Sequence, residues 1–260
     1  MWETAESIPE KVFAYSVDLA LWFTVYLAEM SMPQSSVGQL WRAENAANRF
    51  IEHINYDTIK RGIAEARRRG LLRKGRKGRR AWPQITEAGK KRLTGALPQY
   101  DEKRVWDKRM HMITYDIPEK LRDDRDMLRA YLRRIGCGLF QDSVWITPYN
   151  PIDLVRSFIT EQKLGGTIVV SDIGKDGSIG DEDLLELVTR IYKLEELNSR
   201  YEEWIREVRK TRVDHWMIMC YFSILQDDPQ LPFNLLPKWW KGNNAYQMVK
   251  GKILLFDSRS

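Results

Sequence analysis

Arg109–Tyr149 reads RMHMITYDIPEKLRDDRDMLRAYLRRIGCGLFQDSVWITPY, and this stretch decides the fold. Met110 to Ile117 is a β-branched and aromatic run that ends at Asp116–Pro118, which predicts a strand entering a turn. Leu121, Leu128, Leu132 and Ile135 then recur at near-helical spacing, while Arg122, Asp123, Arg125, Asp126, Arg129, Arg133 and Arg134 fall mostly elsewhere. Gly136 and Gly138 are expected to stop that helix, since glycine takes positive φ past a helix end. Leu139 to Thr147 reads as extended chain with a hairpin turn near Asp142–Ser143. Pro151 to Leu164 is again helix-like, and Gly166 to Ile173 (GTIVVSDI) is a short apolar strand. Strand, helix, hairpin, helix, strand is the order of a ferredoxin-like α+β sandwich.

Upstream, Ser7–Met30 predicts one long buried helix, and a second is expected from Ser36 to Ile51, capped by Ser35 or Ser36. Asn55 to Gly70 predicts a third helix, with Asn55 as its N-cap and Ile59, Ile63 and Ala66 as its inner stripe. Leu71–Lys74 reads as a strand, Gly75–Gly78 as a turn and Arg79–Thr86 as the returning strand. Thr86 then caps another helix, TEAGKKRL. Helices, basic hairpin and helix in this order predict an N-terminal winged helix-turn-helix.

Charge supports that reading. Residues 60–92 hold fourteen Lys and Arg against Glu65 and Glu87 alone, a surplus of 12, while the whole chain is +6. The remainder is therefore net acidic, and such segregation points to a polyanion at one place. A helix fits the major groove, where base edges are distinguishable, and a basic hairpin can straddle phosphates. The expected DNA-binding residues are Tyr56, Thr58, Lys60, Arg61, Arg68, Arg73, Lys74, Arg76, Lys77, Arg79 and Arg80. RNA is the alternative polyanion.

Residues 98–107 read as a linker between the head, 1–97, and the ferredoxin-like segment, 108–175. Residues 176–260 read as a helical C-terminal segment. Within it, Asp183 to Lys210 predicts one long amphipathic helix, either a bundle helix or a dimer contact. Val213 to Gln226 predicts its buried apolar partner. Asp172–Asp183 is glycine- and aspartate-rich but lacks the order of a calcium loop, and reads as a hinge. Cys137 and Cys220 form no CxxC pair, and His53, His111 and His215 are scattered, so neither a metal nor another cofactor is expected. No apolar run is long enough to span a bilayer, and no basic leader is evident; with the cysteine usage, this predicts a cytoplasmic location.

The segment TYDIPEKLRDDRDMLRAYLRRIGCGLFQDSVWITPY resembles the central domain of the PaaX family of bacterial transcriptional repressors. That domain is itself similar to the small ferredoxin-like nuclease subunit of CRISPR adaptation complexes. Gly78, Arg79, Arg80, Thr86 and Gly89 resemble the wing and following helix of the family. Asp228, Pro229, Leu231, Pro232, Leu235, Leu236, Pro237, Trp240, Gly242 and Ala245 are similar to its C-terminal signature. The resemblance implies a homodimeric, non-enzymatic repressor of transcription, released by an acyl-CoA-type effector; Arg129, Arg133, Arg134 and Trp240 are the effector-binding candidates. The CRISPR-associated relatives imply an alternative, a metal-dependent nuclease using Asp116 paired across a dimer. Against it, Asp116–Glu119 reads as a capping box. An architectural nucleic-acid binder is a further alternative. The sequence thus predicts a sequence-specific DNA-binding transcription regulator.

Overall fold

The computed structural model describes residues 11–30, 56–75, 83–174, 183–211 and 213–253. Two units are distinguished: Met1–Tyr100, Ser199–Asp227 and Lys241–Ser260 form one, and Asp101–Asn198 with Asp228–Trp240 the other. The helix expected over Ser36–Ile51, the Asn55 cap and the turn through Gly78 lie outside the described residues.

The first unit begins with helix α1, Ser16–Met30. The single helix expected from Ser7 does not form. Lys11 and Val12 are helical, the chain leaves the helix at Phe13–Tyr15, and Asp18 and Leu19 donate back to the Tyr15 carbonyl to start α1. The break turns the Phe13 ring towards Trp22, at 6.0 Å between centroids. Helix α2, Tyr56–Arg68, packs against α1. A Cβ on Gly62 would run into the Ser16 carbonyl oxygen, so glycine sets how closely these two helices approach. Strands β1, Leu72–Arg73, and β2, Gln84–Ile85, pair antiparallel, and helix α3, Glu87–Ala96, follows.

The second unit is built on a fully antiparallel sheet of β3 (Met110–Asp116), β4 (Gly138–Gln141), β5 (Val144–Thr147) and β6 (Thr167–Gly174). The strand order is β4-β5-β3-β6, with Ile113 opposite Trp145 on one side and Val170 on the other. That is the order of two interleaved β-α-β units, the ferredoxin-like arrangement expected from the sequence. Helices α4, Arg122–Arg134, and α5, Ile152–Gln162, provide the helical layer. Ile113, Tyr115, Trp145, Leu128, Leu132 and Val155 make its core. Gly136, at φ 82°, ends α4 as expected. Its amide bonds Arg133 O and that of Cys137 bonds Leu132 O, which is the paired closure of a Schellman motif.

Three local expectations are corrected. The Asp116–Glu119 capping box is absent: Asp116 is still in β3, Pro118 precedes a 3-10 turn without a side-chain cap, and Glu119 binds Arg125 instead. Gly138 is not a helix stop; it is the first residue of β4, where a Cβ would collide with the Ile191 side chain. The long helix from Asp183 is two helices, α6 (Leu184–Ile191) and α7 (Leu194–Lys210). Lys193 takes φ 51° between them, and the Tyr192 hydroxyl lies 3.1 Å from Gly136 O and 3.0 Å from Ile146 O. One phenol proton facing two carbonyls, one at the end of α4 and one in β5, holds α6 there, and burial raises the Tyr192 pKa. A capping box does form, at Asp183 and Glu186.

The expected linker is not bare chain. Arg104 is buried, donating to Asp101 O and Leu231 O and lying 4.9 Å from the Phe233 ring centroid. The proline-rich segment thus packs on it within the second unit. In the first unit, helix α8, His215–Asp227, is buried at ten consecutive positions, Trp216–Leu225, as its uniformly apolar sequence requires. Trp204 of α7 donates to Met217 O at 2.7 Å, and helix α9, Gly242–Ile253, packs beside α8.

His215 stands 5.6 Å from the Trp22 ring centroid and 5.1 Å from that of Tyr26. Burial pulls its pKa down to about 4. The folded value lies below the unfolded one, so the neutral ring's contribution is complete above about pH 6.5 and is lost as pH falls towards 4. Urea titrations across that window should lose about 3 kcal/mol from this group, and His215→Phe should remove that part of the acid sensitivity.

Candidate nucleic-acid interface

Helix α2 has one face in the core and one in water. Ile59, Gly62 and Ala66 are buried against α1, while Lys60, Arg61, Ala64, Arg67 and Arg68 are exposed. Gly70 ends the helix at φ 70°, as expected. The Gly70 amide donates to Arg67 O and the Leu71 amide to Ala66 O, a second Schellman closure. The chain then enters β1, where Leu72 is buried and Arg73 exposed, and Lys74, just beyond it, is exposed too.

Thr86 fixes this turn to the next helix. Its hydroxyl lies 2.9 Å from Gly70 O and 3.1 Å from Leu71 O, and it accepts the Gly89 amide at 3.1 Å. The expected Thr86 cap is therefore present, with a second role as a clip on the chain leaving α2. A Cβ at Gly89 would collide with Leu71 O, so the T-x-x-G spacing is a steric requirement here.

The charges are less free than the sequence implies. Glu65 binds both Arg68 and Arg69 at 2.5 Å, and these hydrogen bonds, Arg68 first, hold its carboxyl below the usual range. Lys90 pairs with Glu87. Arg92 forks onto Asp18, Nε to Oδ1 at 2.6 Å and Nη2 to Oδ2 at 3.0 Å, and its pKa is raised by that bond. The Asp18 side chain is only 4% exposed, so this pair ties α3 to the first turn of α1. By contrast Lys60, Arg67, Arg73, Lys74 and Lys91 are exposed and make no ion pair among the described residues. Arg61 spends one N–H on Asp57 O at 3.4 Å.

Of the residues expected to meet nucleic acid, Lys60, Arg61, Arg73 and Lys74 thus present available charge. Arg68 is exposed but shared with Glu65, and Thr58 is half-buried. Tyr56 opens α2. Arg76, Lys77, Arg79 and Arg80 lie outside the described residues. Arg67 and Lys91, outside the expected set, are exposed as well; both belong to the basic window, and only three-dimensional pairing separates them from Arg69 and Lys90.

The other candidates lie in the second unit. Arg129 donates to the Tyr115 hydroxyl at 2.8 Å and to Asp142 O at 3.4 Å, which brace α4 on the sheet and on the hairpin turn. Arg133 lies over the Trp145 ring and Arg134 over that of Tyr131. Trp240 is buried, so the four do not form one open cluster. Asp116 is exposed at the end of β3, paired in register with Thr167. Among the described residues, no group of three or more His, Cys, Asp or Glu is placed to hold a metal. Both cysteines are buried and in no disulfide, and burial pushes the Cys137 thiol up to about 12, away from nucleophilic chemistry.

Residues 103–184 match the family model described as the PaaX protein central Cas2-like domain. The resemblance read from the sequence is borne out over this segment. No curated protein matches the chain. Among solved structures, an uncharacterized protein from Mycobacterium tuberculosis is similar, with 15% identity, a TM-score of 0.49, and coverage of 91% of this chain and 94% of that one.

Asp18→Ala should leave Arg92 without its buried partner. Because the arginine left behind is about a third exposed, a loss of about 1.5–3 kcal/mol, the usual worth of hydrogen bonds to charged groups, is expected in chemical denaturation. Lys90→Ala, breaking an exposed pair, should cost less than about 1 kcal/mol in the same assay.

Proposed function

From the premise that residues 103–184 are a PaaX central Cas2-like domain, we propose that the chain is a sequence-specific DNA-binding transcription regulator. The observation that carries this reading is the set of exposed cations without an ion pair on α2, on β1 and just after it: Lys60, Arg67, Arg73 and Lys74, with Arg61 beside them. They stand on a scaffold of helix, short antiparallel ladder and helix, the order of a winged helix. In the proposal, the outer face of α2 enters the major groove and the chain between β1 and β2 follows the phosphates.

The proposal keeps residues 1–97 as the DNA-binding head, 98–107 as the connection, 108–175 as the ferredoxin-like segment and 176–260 as the helical remainder. A homodimer would set the two heads on half-sites about 34–36 Å apart or a multiple of that. Repression, and its release by an acyl-CoA-type effector, come from the family resemblance. The effector would act by favouring one arrangement of the two heads over another.

The scaffold makes the test selective. Lys60→Ala/Arg61→Ala and Arg73→Ala/Lys74→Ala remove charge without touching Asp18, Thr86 or Gly89. With about six phosphates contacted, log K should fall with log salt at a slope near −5 for the parent chain. Each double variant should flatten that slope by roughly 1 to 2. Fluorescence anisotropy on duplex DNA reads this, and slopes unchanged in both variants would mean that this face does not meet phosphate. Sequence preference is tested by selection from a random duplex pool at fixed salt; a flat outcome would favour an architectural binder.

A further inference from the structure

Helix α4 carries apolar side chains outward as well as inward. Leu128 and Leu132 enter the core of the second unit, while Met127 is 41% exposed. Four residues on, the Tyr131 ring stacks on Phe158 of α5, with 3.8 Å between centroids and 4° between planes. The Tyr131 hydroxyl donates to Leu154 O at 2.9 Å, and Leu154 is itself 53% exposed. Met127, Tyr131, Phe158 and Leu154 thus make one apolar patch across the two helices. A single exposed apolar side chain is ordinary, whereas a contiguous patch marks a contact.

The order of residues along α4 says what that contact is. Asp123, Met127, Ala130 and Arg134 follow at spacings of four, three and four, and all but the half-buried Tyr131 beside them are exposed. A carboxylate stands at one end of this stripe and a guanidinium at the other, with one long and one short apolar side chain between. Such a stripe complements itself when reversed. Against a second α4 laid antiparallel, Asp123 falls opposite the partner's Arg134 and Met127 opposite the partner's Ala130. Two-fold symmetry makes each contact twice, and the small Ala130 leaves room for the methionine. Neither Asp123 nor Arg134 makes an ion pair among the described residues; Arg134 lies over the Tyr131 ring instead. The adjoining charges are answered locally, Arg122 by Asp126 and Arg125 by Glu119. The other stripe expected to serve a dimer, along α7, is already covered: Leu197, Tyr201, Trp204 and Val208 are buried.

We infer that two copies of the chain meet through this face, α4 antiparallel to α4 about a two-fold axis, with Leu154 and Phe158 of α5 extending the apolar contact. The inference rests on the homodimer proposed above and adds the surface that forms it. Burial of the patch supplies the attraction, and the two Asp123–Arg134 pairs fix the register.

Sedimentation equilibrium of the full chain over a concentration series tests it, with circular dichroism as the check on folding. A reversible dimer is expected for the parent chain. Ala130→Glu puts a good helix former at an exposed site, brings two carboxylates close to the axis, and should weaken the dimer roughly tenfold or more. Asp123→Arg and Arg134→Asp, each setting like charges opposite one another, should also weaken it. The double variant Asp123→Arg/Arg134→Asp should restore it. Eleven residues of helix, about 16 Å, separate the two positions within one copy, so restoration reports pairing between copies. A dimer that none of the single variants weakens keeps the homodimer and overturns this surface. A double variant as weak as the single ones overturns the antiparallel register. A parent chain that stays monomeric at every concentration overturns the homodimer and this surface together.

Discussion

The head of this protein depends on a carboxylate that water hardly reaches. Asp18 lies in the first turn of α1 with both oxygens committed to Arg92 of α3. Burying a carboxylate is costly unless a partner answers it, and the bidentate fork of arginine does so with fixed geometry. Two helices distant in sequence are thereby held in one relation. Gly62 lets α1 and α2 approach closely, and Thr86 with Gly89 clips the chain leaving α2 to the start of α3. Each device removes a degree of freedom from α2, whose outer face must be presented rigidly if it is to read a groove.

The same pair changes how the basic window should be counted. Fourteen cations in residues 60–92 look like one broad positive surface. The fold divides them. Arg92 faces inward to Asp18, Arg68 and Arg69 share Glu65, and Lys90 turns to Glu87. Among the described residues, what is left is narrower: Lys60, Arg61 and Arg67 on α2, Arg73 on the strand, Lys74 just after it, and Lys91. A counterion-release contribution depends on charges that can exchange small ions for phosphate. An arginine already answered by a half-buried carboxylate contributes less than its formal charge suggests.

Much of the ferredoxin-like segment was legible because its signals are local. Gly136 at a helix end, a turn at Asp142–Ser143 and the β-branched and aromatic run along Met110–Ile117 each act within a few residues. The failures involve partners distant in sequence. Lys193 adopts left-handed φ with no glycine to announce it, because the Tyr192 hydroxyl is drawn to the carbonyls of Gly136 and Ile146. The spacing of Leu187, Ile191, Leu194 and Leu197 continues across the break, so periodicity alone reads one helix. Asp116 and Glu119 have the right spacing for a capping box, yet β3 continues through Asp116 to pair with Thr167. Ladder pairing satisfies that backbone in place of a cap.

Arg104 follows the same logic at larger scale. Composition marks residues 98–107 as linker, and a charged residue there reads as solvated. In the fold, its guanidinium is enclosed by Asp101 O, Leu231 O and the Phe233 ring. Prolines 229, 232 and 237 limit the chain conformations available on either side of those partners, which lowers the entropic cost of gathering them. A cation becomes structural when carbonyl oxygens converge on it, and it remains available to an external anion when they do not. On that criterion, Arg104 and Arg129 belong to the scaffold, whereas Lys60 and Arg73 are among the described charges that the fold leaves for something else to meet.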